Sequence, residues 1–375
     1  MAKRKLGIVC YPSSGGSGIV ATELGLALAR RDWEVHFITY ALPVRLKGYE
    51  ENVFFHEVQT DNYPVFHHPP YTLSLAVKIT EVAETHGLDL LHVHYAIPHA
   101  TCAYLAREML KPKRLPVVTT LHGTDITLVG MQPSFHKVVR FSIDESDRVT
   151  AVSDFLRRRT IESFQTQRPI QVIPNFVDVD RFRPGAASHC RFRRAGEKVV
   201  LHASNFRAVK NVPAVIRAFA EAKDAAASRL VMVGDGPERW PAQTLARDLG
   251  VEDRVQFLGL QDGMEEILSQ ADIFLLPSEH ESFGLAALEA MASGVAVIAT
   301  TQGGTSEVIE DGVSGYLRDP HDIHGMAESL RELLRNDDLR ASVGAAARRR
   351  AVEEYSLDRV VAVYQAMYDE LVEAR

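Results

Sequence analysis

Short apolar runs alternate along the chain with longer stretches of helical periodicity, and this alternation predicts the architecture. In the first half, Leu6–Cys10, Glu34–Thr39, Val53–Val58, Leu90–His94, Pro116–Leu121 and Arg148–Val152 read as strands. Helical patterns fill the gaps, one running through Arg31 and another over Ser74–His86. The pattern restarts at Ile170–Ile173 and continues through Val199–Ala203, Leu230–Val233, Val255–Phe257, Ile273–Leu276 and Val295–Ala299, with helices such as Val212–Lys223 between them. Strands separated by helices mean βαβ units and parallel sheets. The expected fold is therefore α/β: two doubly wound parallel-sheet domains facing a central cleft, with ligands at the carboxyl ends of the strands. The domain boundaries expected are 1–169 and 170–356. The last helix, Leu357–Glu373 within residues 357–375, is left free to pack on either domain, the N-terminal one included.

Composition narrows the class. A chain of 375 residues is long enough for two cores, and 46% apolar with 24% charged residues is ordinary for a globular protein. The formal net charge of -7 argues against a general nucleic-acid binder. Cys10, Cys102 and Cys190 are far apart and form no metal-finger spacing, so free thiols in a reducing compartment are expected. No signal-like segment and no apolar run of the ~18 residues that a membrane span needs is present. A cytoplasmic protein without stable membrane association is the expectation, its oligomeric state open and a homo-oligomer possible.

The most informative stretch is Glu279 to Gly294. Here a buried strand closes at Pro277-Ser278, a tight turn follows, and a helical pattern begins near Phe283 with Gly284 in its first turn. Ser293-Gly294 reads as its C-cap. Free N–H groups at such a helix start cradle anions. In Ser204-Asn205-Phe206-Arg207-Ala208-Val209-Lys210, Arg207 and Lys210 stand three apart after another strand, two cations suited to a diphosphate. Gly234-Asp235-Gly236-Pro237 repeats the placement of a ligand-facing turn, and Thr119-Thr120-Leu121-His122-Gly123 places a histidine at a strand's carboxyl end.

Duller readings stand beside these. Gly16 to Ala21 fits G-x-G-x-x-A, but the second strand ends in Ile38-Thr39-Tyr40-Ala41-Leu42, without the acid that a dinucleotide's ribose requires. The glycines of Gly15-Gly16-Ser17-Gly18 serve instead as a turn, or as a loop that approaches a ligand closely. His67, His68, His92, His94 and His99 look metal-like but lack Cys or carboxylate partners at ligand spacing. Glu281 and Glu289 as a hydrolytic pair would stand ~12 Å apart along a helix, beyond the reach of either glycosidase geometry. Asp178-Val179-Asp180 lies in a Pro-rich connection and reads as structural, and Arg157-Arg158-Arg159 as a solvated helix face.

Taken together, these residues resemble the retaining glycosyltransferases of family 4, which have the GT-B fold of two Rossmann-like domains. Glu281 and Glu289, with Ser282-Phe283-Gly284-Leu285 between them, match the family's E-x7-E motif. Gly15-Gly16, His122-Gly123, Pro174-Asn175-Phe176-Val177-Asp178, Arg207 with Lys210, Gly234-Asp235-Gly236-Pro237 and Gly303-Gly304 follow in family order. Longer strings, Cys10-Tyr11-Pro12-Ser13-Ser14-Gly15-Gly16-Ser17-Gly18 and His92-Val93-His94-Tyr95-Ala96-Ile97-Pro98-His99-Ala100, are similar to the family's N-acetylglucosaminyl L-malate synthases of bacillithiol biosynthesis. The Arg- and Ala-rich Gly185–Gly196 has no counterpart in that pattern.

This resemblance implies UDP-N-acetylglucosamine as donor, L-malate as acceptor, retention at the anomeric carbon, and no metal or other cofactor. It also implies the site residues. Arg207 and Lys210 would hold the diphosphate, Glu289 the ribose, Glu281 a sugar hydroxyl, and His122 the sugar near the reacting carbon. Gly15, Gly16, Asn205, Gly236 and the backbone of Ser282, Phe283, Gly284 and Leu285 would complete the donor site. Ser17, Arg45, Tyr95 and Thr120 are the acceptor candidates, chosen because malate is small and doubly anionic. Rivals are a family member with a lipid or polysaccharide acceptor, and a nucleotide-sugar-binding protein without turnover.

Overall fold

The computed structural model describes residues 3–13, 15–60, 68–187 and 192–374. Ser14, His67 and Cys190 lie outside the described residues, as does part of the Arg-rich stretch, 188–191. The chain divides into two compact units, Met1–Asn175 with Leu357–Arg375, and Phe176–Ser356.

In the first unit, β1 (Lys5–Val9), β2 (Glu34–Thr39), β3 (Val53–Glu57), β4 (Leu90–His94), β5 (Val117–Leu121), β6 (Arg148–Ala151) and β7 (Ile170–Val172) form one sheet. Its order is β3-β2-β1-β4-β5-β6-β7, with every neighbouring pair parallel. Helices cover the sheet, so its central strands are buried on both faces and read as near-continuous apolar runs. Leu6, Ile8 and Val9 of β1 are all fully buried. The sequence order of the strands reverses between β1 and β4, the switch point where an open α/β sheet leaves a crevice at its carboxyl edge.

One boundary differs from expectation. Ile170 pairs with Val149, and Val172 with Ala151, so the short strand expected to open the second domain is the edge of the first sheet. The division falls after Asn175, because three paired residues bind β7 to β6 before Pro174 turns the chain away. The last helix, Leu357–Glu373, belongs to the first unit. Its buried face, Val360, Val361, Tyr364, Met367, Tyr368 and Leu371, follows the 3.6-residue period. The Tyr368 hydroxyl reaches His92 Nδ1 at 2.6 Å, and the Tyr368 ring meets Trp33 edge to face.

The second unit holds β8 (Lys198–Ala203), β9 (Ser228–Val233), β10 (Val255–Gly259), β11 (Ile273–Leu276), β12 (Ala296–Thr300) and β13 (Tyr316–Arg318). These form a parallel sheet in the order β10-β9-β8-β11-β12-β13, with its switch point between β8 and β11. At three residues, β13 is too short for a periodic signal, and the pattern of the sequence did not mark it. No helix among the described residues is long and apolar enough to cross a membrane.

Candidate active site

In the second unit the candidate residues converge on the switch point. The loop leaving β8 carries Asn205, Arg207 and Lys210; the loop leaving β11 carries Glu281 to Gly284. Arg207 caps a single 3-10 turn, Ala208–Lys210, and its carbonyl accepts the Lys210 N–H at 2.8 Å. The two loops are stitched together where the Glu279 N–H donates to the Val209 carbonyl at 2.8 Å. Lys210 Nζ then meets Glu281 Oε1 at 2.6 Å, and the Ser278 hydroxyl donates to the same oxygen at 2.8 Å. Arg207, exposed, stands in the same loop as Lys210.

Glycines bring backbone close at three places. At Gly303, φ is +106° and an added Cβ would lie 1.9 Å from the Glu281 carbonyl oxygen. Only glycine permits that approach, which lets the Gly304 N–H donate to the Glu281 carbonyl at 2.8 Å. Gly234 and Gly236 likewise press the Gly234–Pro237 turn onto Ser204–Phe206, where added Cβ atoms would meet carbonyl oxygens at 1.8 and 2.3 Å. Gly236 therefore sits against the carbonyl of Asn205, and two of the expected donor-site residues share one surface.

The helix expected from Phe283 starts at Leu285 and ends at Ala292, with Gly284 as its N-cap at φ +90° and Gly294 beyond its end at +75°. Phe283 is nearly fully buried, its ring edge-on to Tyr355. Only the second half of Glu281–Glu289 is helical, so the ~12 Å expected from helical rise over all eight steps does not apply. What separates the roles of the two carboxylates is their setting: Glu281 is held by Lys210 and Ser278, while Glu289 lies in the helix.

In the first unit, the loops leaving β1 and β4 meet. Gly15 caps the helix Gly16–Ala29, and Ser17 in its first turn accepts a 2.8 Å hydrogen bond from the Tyr95 hydroxyl. Tyr95 follows β4 directly with φ +88°, a left-handed conformation that costs a non-glycine residue ~1–3 kcal/mol and concentrates at functional sites. Burial pushes its hydroxyl up to about 12, so it stays a donor. His122, leaving β5, lies 5.2 Å from Tyr95 between ring centroids, and its Nε2 is 2.8 Å from His94 Nδ1. Burial and the neighbouring His99 push His122 down to about 3, so the ring is neutral at pH 7. Placing the shared proton on His94 Nδ1 leaves His94 Nε2, which is buried without a partner among the described residues, as a bare acceptor. His122 then carries its own proton at Nδ1.

Sequence reasoning missed the group that holds this turn. Asp125 is buried, and its carboxylate accepts from the backbone N–H groups of Ala96 at 2.9 Å, Gly123 at 3.0 Å and His122 at 3.4 Å. Burial pushes its pKa up to about 6, with those three donors pulling the other way. An aspartate two residues beyond a glycine at a strand end is a turn signal that could have found it. Ser278, the hydroxyl that fixes Glu281, carried no such signal.

Two acceptor candidates are placed differently from expectation. Thr120 is fully buried inside the sheet, its hydroxyl 2.7 Å from His92 Nε2 and 2.6 Å from Thr150 Oγ1. Its burial and its two hydrogen bonds inside the sheet take it out of the acceptor set, while His122 lies past the strand end. The Arg45 guanidinium lies 4.0 Å from the carboxylate of Glu23 on the first helix. The metal-like His92 and His94 are both fully buried; His92 spends both ring nitrogens on Tyr368 and Thr120, and His94 spends Nδ1 on His122.

Comparison with known proteins gives consistent results. Residues 14–181 match Glycosyltransferase Family 4, and residues 191–350 match Glycosyl transferases group 1. The chain is 47% identical over 369 residues, 98% of its length and 97% of the relative's, to N-acetyl-alpha-D-glucosaminyl L-malate synthase of Bacillus anthracis. Among solved structures, a glycosyltransferase from Rickettsia africae superposes with a TM-score of 0.84 at 21% identity, over the whole of both chains. Anabaena HepE in complex with UDP and glucose gives 0.79 at 19% identity, over 98% of this chain and 99% of that one.

Proposed function

From the premise that this chain belongs to the family 4 glycosyltransferases of the GT-B fold, we propose that it moves N-acetylglucosamine from UDP-N-acetylglucosamine to the hydroxyl of L-malate. Its Bacillus anthracis relative, whose length it matches almost end to end, is named for making N-acetyl-alpha-D-glucosaminyl L-malate, the product of that transfer. The reading makes it a hexosyltransferase in the cytoplasm, acting at the opening of bacillithiol assembly.

The observation that carries the site assignment is the convergence of Lys210, Glu281 and the Gly304 N–H at the switch point of the second sheet. A diphosphate there meets the Lys210 ammonium and the Arg207 guanidinium, and these two cations stabilise the charge that builds as UDP leaves. That is the work a divalent ion does elsewhere, so no metal enters the transfer. Glu281 accepts from a sugar hydroxyl while holding Lys210, and Glu289 accepts from the ribose. The neutral His122 donates through Nδ1 to the sugar. Ser17 and Tyr95 serve the acceptor, and Arg45 supplies a cation for a carboxylate once it shifts from Glu23. No side chain is assigned as covalent nucleophile; the departing phosphate takes the acceptor's proton, with retention.

The experiment is UDP release. With UDP-N-acetylglucosamine the protein releases UDP when L-malate is added, and EDTA leaves the initial rate intact. Equal release with unrelated hydroxyl acceptors would overturn the malate assignment, and no release with any acceptor would point to a binding protein.

A further inference from the structure

Away from either switch point, three histidines converge on one edge of the first sheet. His36 lies on β2, His56 on β3, and His86 is the last residue of the helix Tyr71–His86. Each offers one ring nitrogen, and the three atoms lie within 4.8 Å of one another. His36 Nδ1 and His56 Nε2 face each other at 2.9 Å. The ring centroids stand 5.1 Å apart for His36 and His56, 4.6 Å for His36 and His86, and 5.0 Å for His56 and His86.

The chemistry of His36 fixes which of its nitrogens is free. Nε2 lies 3.0 Å from Glu34 Oε1, and a carboxylate only accepts, so the proton sits on Nε2 and the lone pair on Nδ1 points at His56. A carboxylate that takes the outer N–H of an imidazole whose inner nitrogen faces other ligands is the supporting arrangement of histidine metal sites. Glu34 is itself held by the Lys5 ammonium at 3.2 Å. Nitrogens bound to one tetrahedral zinc at ~2.0–2.1 Å stand roughly 3.3 Å apart, so the facing pair needs only a few tenths of an ångström of opening.

We propose that His36, His56 and His86 form a site for one zinc-like divalent ion, with Glu34 orienting His36 from behind. Three imidazoles favour zinc, copper or nickel over calcium or magnesium, which take oxygen ligands. His56 and His86 are half-buried, so the fourth position opens to solvent and takes water. Lys5 and Lys78 are the cations facing the cluster and work against an incoming ion. The site joins two strands to the end of a helix that closes, through Gly87, at the amino-terminal edge of the sheet. It lies on the β2–β3 side of the sheet, across β1 from β4 and β5, whose ends carry Tyr95 and His122, so an ion here clamps the fold and takes no part in sugar transfer.

The test uses the full chain without a polyhistidine tag, freed of metal by chelator and titrated with zinc by calorimetry and with cobalt by visible absorption. One equivalent binds, cobalt gives tetrahedral d–d bands, and zinc raises the thermal midpoint. His56→Ala and His86→Ala each abolish the bands and the rise, and Glu34→Gln weakens binding about 10–100-fold. UDP release by metal-free His56→Ala matches that of the metal-free parent. Absence of saturable binding in the parent, or one-equivalent binding that survives both histidine variants, would overturn the site.

Discussion

Lys210 Nζ lies 2.6 Å from Glu281 Oε1, joining the two loops that leave β8 and β11. The pair is partly shielded, at 23% and 12% side-chain exposure, so its attraction is screened less than that of a surface ion pair. Lys210 has three donors and spends one on Glu281, leaving two for a ligand. Lys210→Ala therefore removes a diphosphate contact and also leaves Glu281 uncompensated. The expected loss in kcat is about 10²–10³-fold, the scale of deleting one donor to a developing negative charge. Arg158→Ala, on an exposed side chain paired with Asp154, is the control and changes the rate less than twofold. Steady-state UDP release compares them, and equal losses would move the diphosphate elsewhere.

The Tyr95–Ser17 hydrogen bond sits where the loops of β1 and β4 meet, and Tyr95 holds its left-handed backbone there. Tyr95→Phe keeps the ring contacts with Tyr11 and His122 but frees the Ser17 hydroxyl. A lost hydrogen bond of ~1 kcal/mol corresponds to about a fivefold fall in kcat/KM for malate. The KM for UDP-N-acetylglucosamine should hold steady. A change confined to the donor KM would take Tyr95 out of the acceptor site.

Much of this was legible beforehand. Parallel buried strands advertise themselves by their apolar runs, which is why Ile273–Leu276 and Leu90–His94 were found to the residue. The loops at strand ends were legible because glycines and charges cluster where an apolar run stops. Thr120 shows the limit, since one residue's difference along a strand decides between core and loop, and composition cannot say which. The edge strand β7 paired backward because pairing is set by backbone partners that a local pattern does not encode. His36, His56 and His86 are separated by whole elements, so no spacing rule could bring them together.

Gly303 offers a test of local geometry. With φ +106° and the Glu281 carbonyl oxygen 1.9 Å from any added Cβ, Gly303→Ala must push the Glu281 loop away. A left-handed non-glycine residue and a displaced backbone contact together cost ~2–4 kcal/mol. Urea unfolding measures that loss. Because Glu281 moves with the loop, activity falls even at temperatures where the variant is folded, and a folded variant with full activity would show that Glu281 need not be fixed.

The buried histidines set a direction for the response to acid. Burial pushes His92 and His122 down to about 3 and His99 to about 4, and burial with the neighbouring histidines lowers His94 well below the usual range. In the unfolded chain each returns to about 6.5. Below that pH the unfolded state takes up protons that the folded state refuses, so stability falls as pH drops from about 6.5 toward 4. The slope reaches up to about 1.4 kcal/mol per pH unit for each histidine. Asp125 acts in the opposite sense. Its pKa is raised from 3.8 to about 6, so in that window the folded state holds a proton that the unfolded state has lost. Acidification therefore favours folding through Asp125 and cancels about one histidine, leaving the net trend with the rest, His202 included, which burial pushes down to about 4. Urea unfolding at pH 7.5, 6 and 5 should show a falling midpoint at constant m-value, and Asp125→Asn, which removes the opposing group, should steepen the fall. A midpoint that stays level to pH 5 would mean that these rings are solvated in solution.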